Sequence, residues 1–442
     1  MAATFQQGGI HPFEGKDLSK DLPIKVVMPE GDLVYPMSQH IGAPAKPIVQ
    51  KGDRVLVGQK IAEKGGFISA NISSSVSGTV KAIEPRLVTN GSYCNCIIVE
   101  NDKKYETVEG FGQDRDYTKM SKEDIIKAVE EAGIVGLGGA GFPTHVKLSP
   151  KNPNQIDYVL VNGAECEPYL TSDYRLMLEE PEKVVGGLKV MVSLFPKAKG
   201  VIGIEDNKPD AIAKLEELVR NEDRIEVCPL KTKYPQGAER QVIYAITGRK
   251  INVSKLPADV GCVVDNVDTV IGIYNAVCKN IPLIRKIVTV TGDAVKTPQN
   301  FNVRTGTTYQ QVLKEAGGFR EQPEKIISGG PMMGMALFDL NVPIGKTSSA
   351  LLCLTRDNVA ELEPSACIRC GRCVAACPSN LVPQKMMEYA EANNVEGFIG
   401  INGTECYQCG SCTYVCPAKR QLTQAFKHAV GSAKAFQAAQ KK

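Results

Sequence analysis

Apolar residues come in short runs along this chain, and the rhythm of those runs changes several times. Between about residues 31 and 100 brief apolar segments are punctuated by Lys51-Gly52-Asp53, Gly65-Gly66 and Ser77-Gly78-Thr79, the pattern of short strands and tight turns. At Ser121 the period lengthens. Ser121 and Asp124 form a capping box, and Ile125, Ile126 and Val129 make a helical stripe that Gly133 ends. Apolar runs at 157–162, 201–205 and 225–230 read as strands, while Pro181 and Pro209 stand where first helical turns begin. Such alternation predicts an α/β layer with a largely parallel sheet. From Arg285 the runs at 287–292, 303–307 and 313–318 read as strand, strand and helix. Residues 382–393 read as another helix, with Met386 and Met387 as packing residues. The alanine-rich tail from Phe426, with Lys427, Lys434, Lys441 and Lys442, reads as an exposed helix that frays.

Composition narrows the classes without choosing one. At 442 residues the chain is too long for a single core. The changes of pattern divide it at 1–112, 113–284, 285–350 and 351–430, with a basic tail at 431–442. Hydrophobic residues are 43% and charged residues 23%, an ordinary soluble balance, and the net charge of +3 leaves no footprint for nucleic acid. The opening MAATFQQGGIHPFEG lacks the order of a signal peptide. The richest apolar stretch, Ile326 to Ile344, is broken by Gly329, Gly330, Pro331, Asp339 and Pro343, so no membrane span is expected.

The fifteen cysteines change the picture. Eight fall into two copies of one spacing: Cys367, Cys370, Cys373 and Cys377 before Pro378, then Cys406, Cys409, Cys412 and Cys416 before Pro417. This is the bacterial ferredoxin run, in which two-residue gaps aim three thiolates at one cube and the fourth cysteine ligates the other cluster. It assigns one [4Fe–4S] cluster to Cys367, Cys370, Cys373 and Cys416, and a second to Cys406, Cys409, Cys412 and Cys377. Gly371 and Gly410 sit where the backbone must turn tightly. Zinc knuckles use cysteine pairs at longer intervals and fit poorly. The other seven, Cys94, Cys96, Cys166, Cys228, Cys262, Cys278 and Cys353, read mostly as buried thiols.

A second motif is the run Gly136-Leu-Gly-Gly-Ala-Gly141-Phe-Pro-Thr-His-Val-Lys147. Its glycines let backbone amides approach a phosphate and its lysine adds a positive charge. A flexible turn is the competing reading of the same glycines. No Gly-Lys-Ser/Thr follows and the spacing is not GxGxxG after a strand, so neither ATP nor an ordinary dinucleotide fingerprint is supported.

In order, GLGGAGFPTHVK, VNGAECEP, YPQGAERQ and VVDNVDT resemble the flavin- and NADH-binding subunit of respiratory complex I. With GGIHPFEG and the two cysteine runs, essentially the whole chain resembles the RnfC subunits of the Rnf electron transport complex. The resemblance implies a multidomain α/β plus β protein: an N-terminal barrel-sandwich domain, an α/β flavin- and NADH-binding domain, a β-grasp (SLBB) module and a C-terminal two-cluster, ferredoxin-like α-helical domain. It implies FMN phosphate held by Gly138, Gly139, Gly141 and Lys147. It places Asn162, Glu239 and Asn266 near the flavin, and Glu165 and Glu167 near the flavin and the nicotinamide nucleotide. Leu137, Ala164 and Ala238 stand where complex I proteins carry arginine, aspartate and glutamate, so flavin contacts transfer better than nucleotide contacts. Cys166 reads as a small residue facing that pocket. The run PIVQKGDRVLVGQKIAE looks like a lipoyl- or biotinyl-type domain, but Gly65-Gly66 replaces the carrier lysine, which makes it a scaffold. The Ser328–Gly334 glycines form a loop or a close contact with the flavin domain, and the methionines there are expected to fill core gaps.

The expected activity is a ferredoxin:NAD⁺ oxidoreductase subunit, passing electrons between NAD(H), FMN and two [4Fe–4S] clusters. No general acid or base is needed. Integral membrane Rnf subunits, which translocate Na⁺ or H⁺, and a ferredoxin-like Fe–S subunit are the expected partners, at the cytoplasmic side of the cell membrane. Two other readings stay open: a cobalamin reductase of a diol-utilisation compartment, with the same flavin and two-cluster layout, and a non-catalytic Fe–S scaffold.

Overall fold

A computed structural model describes residues 2–440. Lys441 and Lys442 lie outside the described residues. Residues from Leu33 to Asn101 build two small antiparallel sheets. One orders Leu33–Pro36, Tyr93–Asn101, Gly78–Leu87 and Arg54–Val55; the other orders Lys46–Pro47, Lys60–Glu63 and Ile72–Ser73. Leu33, Tyr35, Val55, Ile61, Ile72, Ile97 and Val99 are buried between them. At the hairpin tip a Cβ on Gly65 would lie 2.1 Å from the Pro44 carbonyl, and Lys64 is ion-paired to Glu130. Lys64, beside the tip, is half-exposed in this surface ion pair.

The α/β domain has four parallel strands in the order Ile225–Leu230, Lys199–Glu205, Tyr158–Gly163 and Cys262–Asn266. The chain steps outward through the first three in sequence order, then crosses back to the far side of Tyr158–Gly163. That reversal is a topological switch point, and ligands of open α/β sheets bind in the crevice at the carboxyl ends of such strands. The capping box at Ser121 forms as expected and opens the helix Lys122–Glu131.

The next sheet has six strands: Lys25–Val27, Gln299–Arg304, Arg285–Thr291, Ala350–Leu354, Lys325–Ser328 and Met335–Ala336, beside the helix Tyr309–Glu315. Two expected boundaries fall inside it. Residues 25–27 leave the barrel sandwich because they pair with 301–303. Residues 351–354 belong here and not to the cluster domain, since they pair with both 289–291 and 325–328. Main-chain pairing to distant strands, invisible locally, decides both.

In the cluster domain the helices Pro383–Glu391, Val395–Gly400 and Leu422–Gln440 pack around Met386, Phe398 and Phe426. The tail is therefore not a fraying appendage: Phe426, Val430 and Ala433 are core. Met333 and Met335, expected in core gaps, are exposed, because their loop lies on the surface of the flavin domain.

Candidate functional site

The switch-point crevice gathers most of the expected flavin residues. Asn162 and Asn266 end adjacent strands and stand in register. Asn266 caps the helix Val267–Cys278 through Asp268 N (2.9 Å) and donates Nδ2 to Asp173 (2.6 Å). Asn162 Nδ2 donates to the Gly237 carbonyl at 2.8 Å. The glycine run lies over these ends. A Cβ on Gly138 would meet the Asn266 side chain at 2.9 Å, so the run crosses Asn266 with no room for a side chain. Gly139 faces open space, and Gly141 has φ +71 with Thr347 and His40 against it. Here the glycines serve close approach and not mere flexibility.

Lys147 donates to the Val264 carbonyl (2.8 Å) and to Asp265 (3.0 Å), with Glu239 at 3.9 Å. Burial pulls its ammonium down, but Asp265 and Glu239 outweigh that and hold it above the ordinary lysine value. Asp265 is buried with Oδ2 unpartnered. An ammonium, a run of glycine amides and open space at Gly139 fit an anionic phosphate. Leu137 is core, and its amide bonds Thr269 at 2.8 Å, so the arginine-to-leucine departure removes a charge from the loop and leaves its backbone anchored.

The acidic loop is a buried ionic network. Glu165, at φ +49, accepts the amides of Asp173 (2.7 Å) and Tyr174 (3.4 Å), and Lys16 lies at 3.9 Å. Glu167 turns away and accepts the amides of Met332 (2.8 Å) and Met333 (3.1 Å). Burial pushes both carboxyls up. A Cβ on Gly330 would sit 2.3 Å from Glu167, so the Ser328–Gly334 loop is a close contact with the flavin domain. Two lysines here carried no sequence signal of their own. Lys16 donates to the carbonyls of Glu165 (2.8 Å), Glu167 (3.2 Å) and Leu170 (2.6 Å). Lys208 holds the Ala164 carbonyl at 2.8 Å and pairs with Glu205 at 3.5 Å. The only available pointer was the place of Lys16 directly after the GGIHPFEG segment. The first glycine of that segment packs on the cluster domain, a Cβ on Gly8 meeting the Cys377 carbonyl at 2.4 Å.

The cysteine runs repeat in space as in sequence. Arg369 and Gln408 take positive φ at matched places, as do Gly371 and Gly410, and Asn380 and Lys419. Gly371 and Gly410 each start a one-turn helix, Arg372–Ala375 and Ser411–Tyr414. Cys377, Cys406, Cys409 and Cys412 line one cavity with Met386 and Phe426. The Leu381 amide donates to Cys377 (3.4 Å) and the Gln408 amide to Cys406 (3.3 Å), the hydrogen bonds to sulfur that cluster ligands receive. Four thiols around a cavity, in an apolar shell, fit a cube. Cys367 and Cys370 are exposed, with Cys373 and Cys416 partly buried.

Between the two sites lies a small apolar cluster of Ile10, Tyr234, Ala376 and Cys409, with Cys166 and Met332 against it. Tyr234 Oη donates to the Cys409 carbonyl at 2.7 Å. Cys166 Sγ accepts the Gly237 amide at 3.2 Å, and burial pushes its thiol far up. It packs toward Cys409 and Tyr234, where the sequence led to the expectation of a small residue facing the flavin pocket. Arg240 pairs with Glu405 (2.9 Å), and Gln241 donates to the Pro378 carbonyl (3.2 Å), fixing the cluster domain against the flavin domain.

Fold and site together define a flavin and iron–sulfur electron-transfer protein. Family models agree along the chain: the RnfC barrel sandwich hybrid domain matches 4–104, the Nuo51 FMN-binding domain 129–275, the SLBB domain 287–336 and a 4Fe-4S dicluster domain 366–419. The RnfC subunit of the Na(+)-translocating ferredoxin:NAD(+) oxidoreductase complex of Acetobacterium woodii is 46% identical, covering 96% of each chain. The proton-translocating counterpart of Clostridium ljungdahlii is 46% identical over 87% of this chain and 84% of that one. The corresponding subunit of the ion-translocating oxidoreductase complex of Vibrio cholerae is 37% identical over 88% of this chain and 50% of that one. An NAD⁺-reducing [NiFe]-hydrogenase in its air-oxidized state shares the fold, with TM-score 0.51 at 18% identity over 71% of this chain and 66% of that one. The chain belongs to the RnfC family of subunits of ion-translocating ferredoxin:NAD(+) oxidoreductase complexes, the Rnf complexes. It is an electron-transfer subunit with FMN and [4Fe–4S] clusters as cofactors. No helix among the described residues is long and apolar enough to cross a membrane.

Proposed function

We propose that this protein exchanges electrons with NAD(H) at the switch-point crevice and passes them through the cysteine runs to partner redox subunits at the cytoplasmic face of the membrane. The integral membrane subunits carry the Na⁺ or H⁺ translocation, and the ferredoxin-like Fe–S subunit is a further partner. FMN, when bound, supplies the conversion between two-electron hydride chemistry and one-electron clusters. The chain's own residues do the rest. Lys147 and the amides of Gly138, Gly139 and Gly141 hold the phosphate. Asn162, Asn266 and Glu239 would border the flavin and Glu165 the nucleotide side, while Glu167 holds the Ser328–Gly334 loop against the flavin domain.

The observation that carries this reading is the contact between the two sites. Tyr234 and Cys166 link the acidic loop to Cys409, so the group Cys377, Cys406, Cys409 and Cys412 stands on the flavin side. The group Cys367, Cys370, Cys373 and Cys416 then stands outermost, where Cys367 and Cys370 reach the surface. Purified anaerobically, the protein should show a flavin spectrum bleached by NADH. Iron and sulfide without flavin, even after FMN is added, would instead establish a scaffold.

A further inference from the structure

Cys94 and Cys96 belong neither to the cluster runs nor to the crevice. They lie on the strand Tyr93–Asn101 of the barrel sandwich. Two residues apart on one strand, they project from the same face, and their sulfurs are 3.9 Å apart. Cys96 is fully buried and Cys94 is half-buried. Across the sheet, Arg86 stands in register with Cys94 and Glu84 with Cys96, while Pro36 flanks Cys96 on the other side. Among the described residues no third His, Cys, Asp or Glu joins the pair. Arg86 is ion-paired with Glu84 at 2.6 Å, so the site is two thiols in contact, one reachable and one shielded behind it. That is the arrangement of an attacking and a resolving cysteine. The bond from Cys96 and the amides of Ser38 and Met37 hold Cys94 below the ordinary thiol value against desolvation. Cys96 is raised by the same bond and by burial.

We propose that Cys94 and Cys96 form a reversible dithiol–disulfide site that hydroperoxides oxidise. The Cys94 thiolate attacks one peroxide oxygen; the O–O bond breaks, hydroxide leaves and Cys94 becomes a sulfenic acid. Cys96 sulfur then attacks Cys94 sulfur, the S–O bond breaks, and the Cys96 proton leaves with the hydroxyl as water. In sum two thiols and one hydrogen peroxide give one disulfide and two waters. A span of about 6.7 Å between alternate Cα atoms of a strand lies at the upper edge of what a disulfide accepts. Closure therefore pinches the strand, which makes the bond easily reduced. The pinch falls on the Met37 amide to Asn95 carbonyl bond, 2.9 Å, and on the pairing of Cys96 with Pro36.

The test uses the full chain with its clusters, prepared anaerobically and treated with increasing equivalents of hydrogen peroxide. After unfolding and alkylation, peptide mass spectrometry should show both thiols blocked together in a peptide lighter by two hydrogens, with dithiothreitol restoring both. Cys353, buried alone, should stay alkylatable throughout. In Cys96→Ser, Cys94 should accumulate as a sulfenic acid that dimedone traps. Cys94 and Cys96 both still alkylated after peroxide, Cys94 as a sulfinic acid with Cys96 still a thiol, or no dimedone adduct in Cys96→Ser would each overturn the proposal.

Discussion

Lys147 pairs with buried Asp265 and lies against Gly136 of the glycine run, so in the proposed function one ammonium serves both the fold and the flavin phosphate. Lys147→Met should weaken FMN binding about 10- to 100-fold, the worth of one charge-assisted hydrogen bond. Fluorescence titration of the flavin-free protein measures it. The variant should also melt earlier, since a buried carboxylate loses its partner; adding Asp265→Asn should restore stability and leave affinity low. Glu205 gives a pH dependence of definite sign. Burial, only partly offset by Lys208 and Lys16, raises its carboxyl to about 7 from 4.5. The folded state then holds a proton that the unfolded state releases. This contribution is full below about pH 4.5 and is lost as pH rises through about 7. Linkage puts it at about 3 kcal/mol. Denaturant titrations should find Glu205→Gln less sensitive to pH across that window than the parent.

The element that repeats is the cysteine run with its helix. Positive φ at the residue before the second cysteine, at the glycine after it and three residues past the fourth cysteine recurs in both copies. A four-cysteine spacing makes sense only with that backbone, which is why the motif was legible. The crossed ligation expected of a ferredoxin run makes a sharp prediction. Cys377→Ser should abolish the electron paramagnetic resonance signal of the cluster held by Cys406, Cys409 and Cys412, leaving the other; Cys416→Ser should do the reverse. Loss of the opposite cluster in either variant would refute the assignment. The helix Leu422–Gln440 was harder to read. Its alanines and lysines looked solvated, yet Phe426, Val430 and Ala433 share one face that closes on Phe398 and Met386. Weak amphipathicity becomes core only when a neighbour supplies the other half.

Across the whole molecule, three modules meet at Lys346. Its buried ammonium donates to the carbonyls of Asn71 (2.5 Å) in the barrel sandwich and Gly133 (2.7 Å) in the flavin domain, from the loop before the strand Ala350–Leu354. Burial alone pulls it down to about 7. Lys346→Ala strands two carbonyls and should cost about 2–4 kcal/mol. Thermal melting and faster proteolysis between the modules would register it, and an unchanged melt would refute the staple. The amino-acid order by itself determined the cysteine runs, the glycine run, the parallel sheet and the order of the modules. The cysteine spacing has one good structural meaning, while the glycine run had two and the modules were named through a resemblance. Only the tertiary structure decided that residues 25–27 join a sheet with 301–303, that Lys16 and Lys208 hold the acidic loop, and that Cys409 meets Tyr234 of the flavin domain while Cys367 and Cys370 reach the surface. Those depend on which surfaces meet, and a buried lysine is stabilised by carbonyls that no local pattern announces.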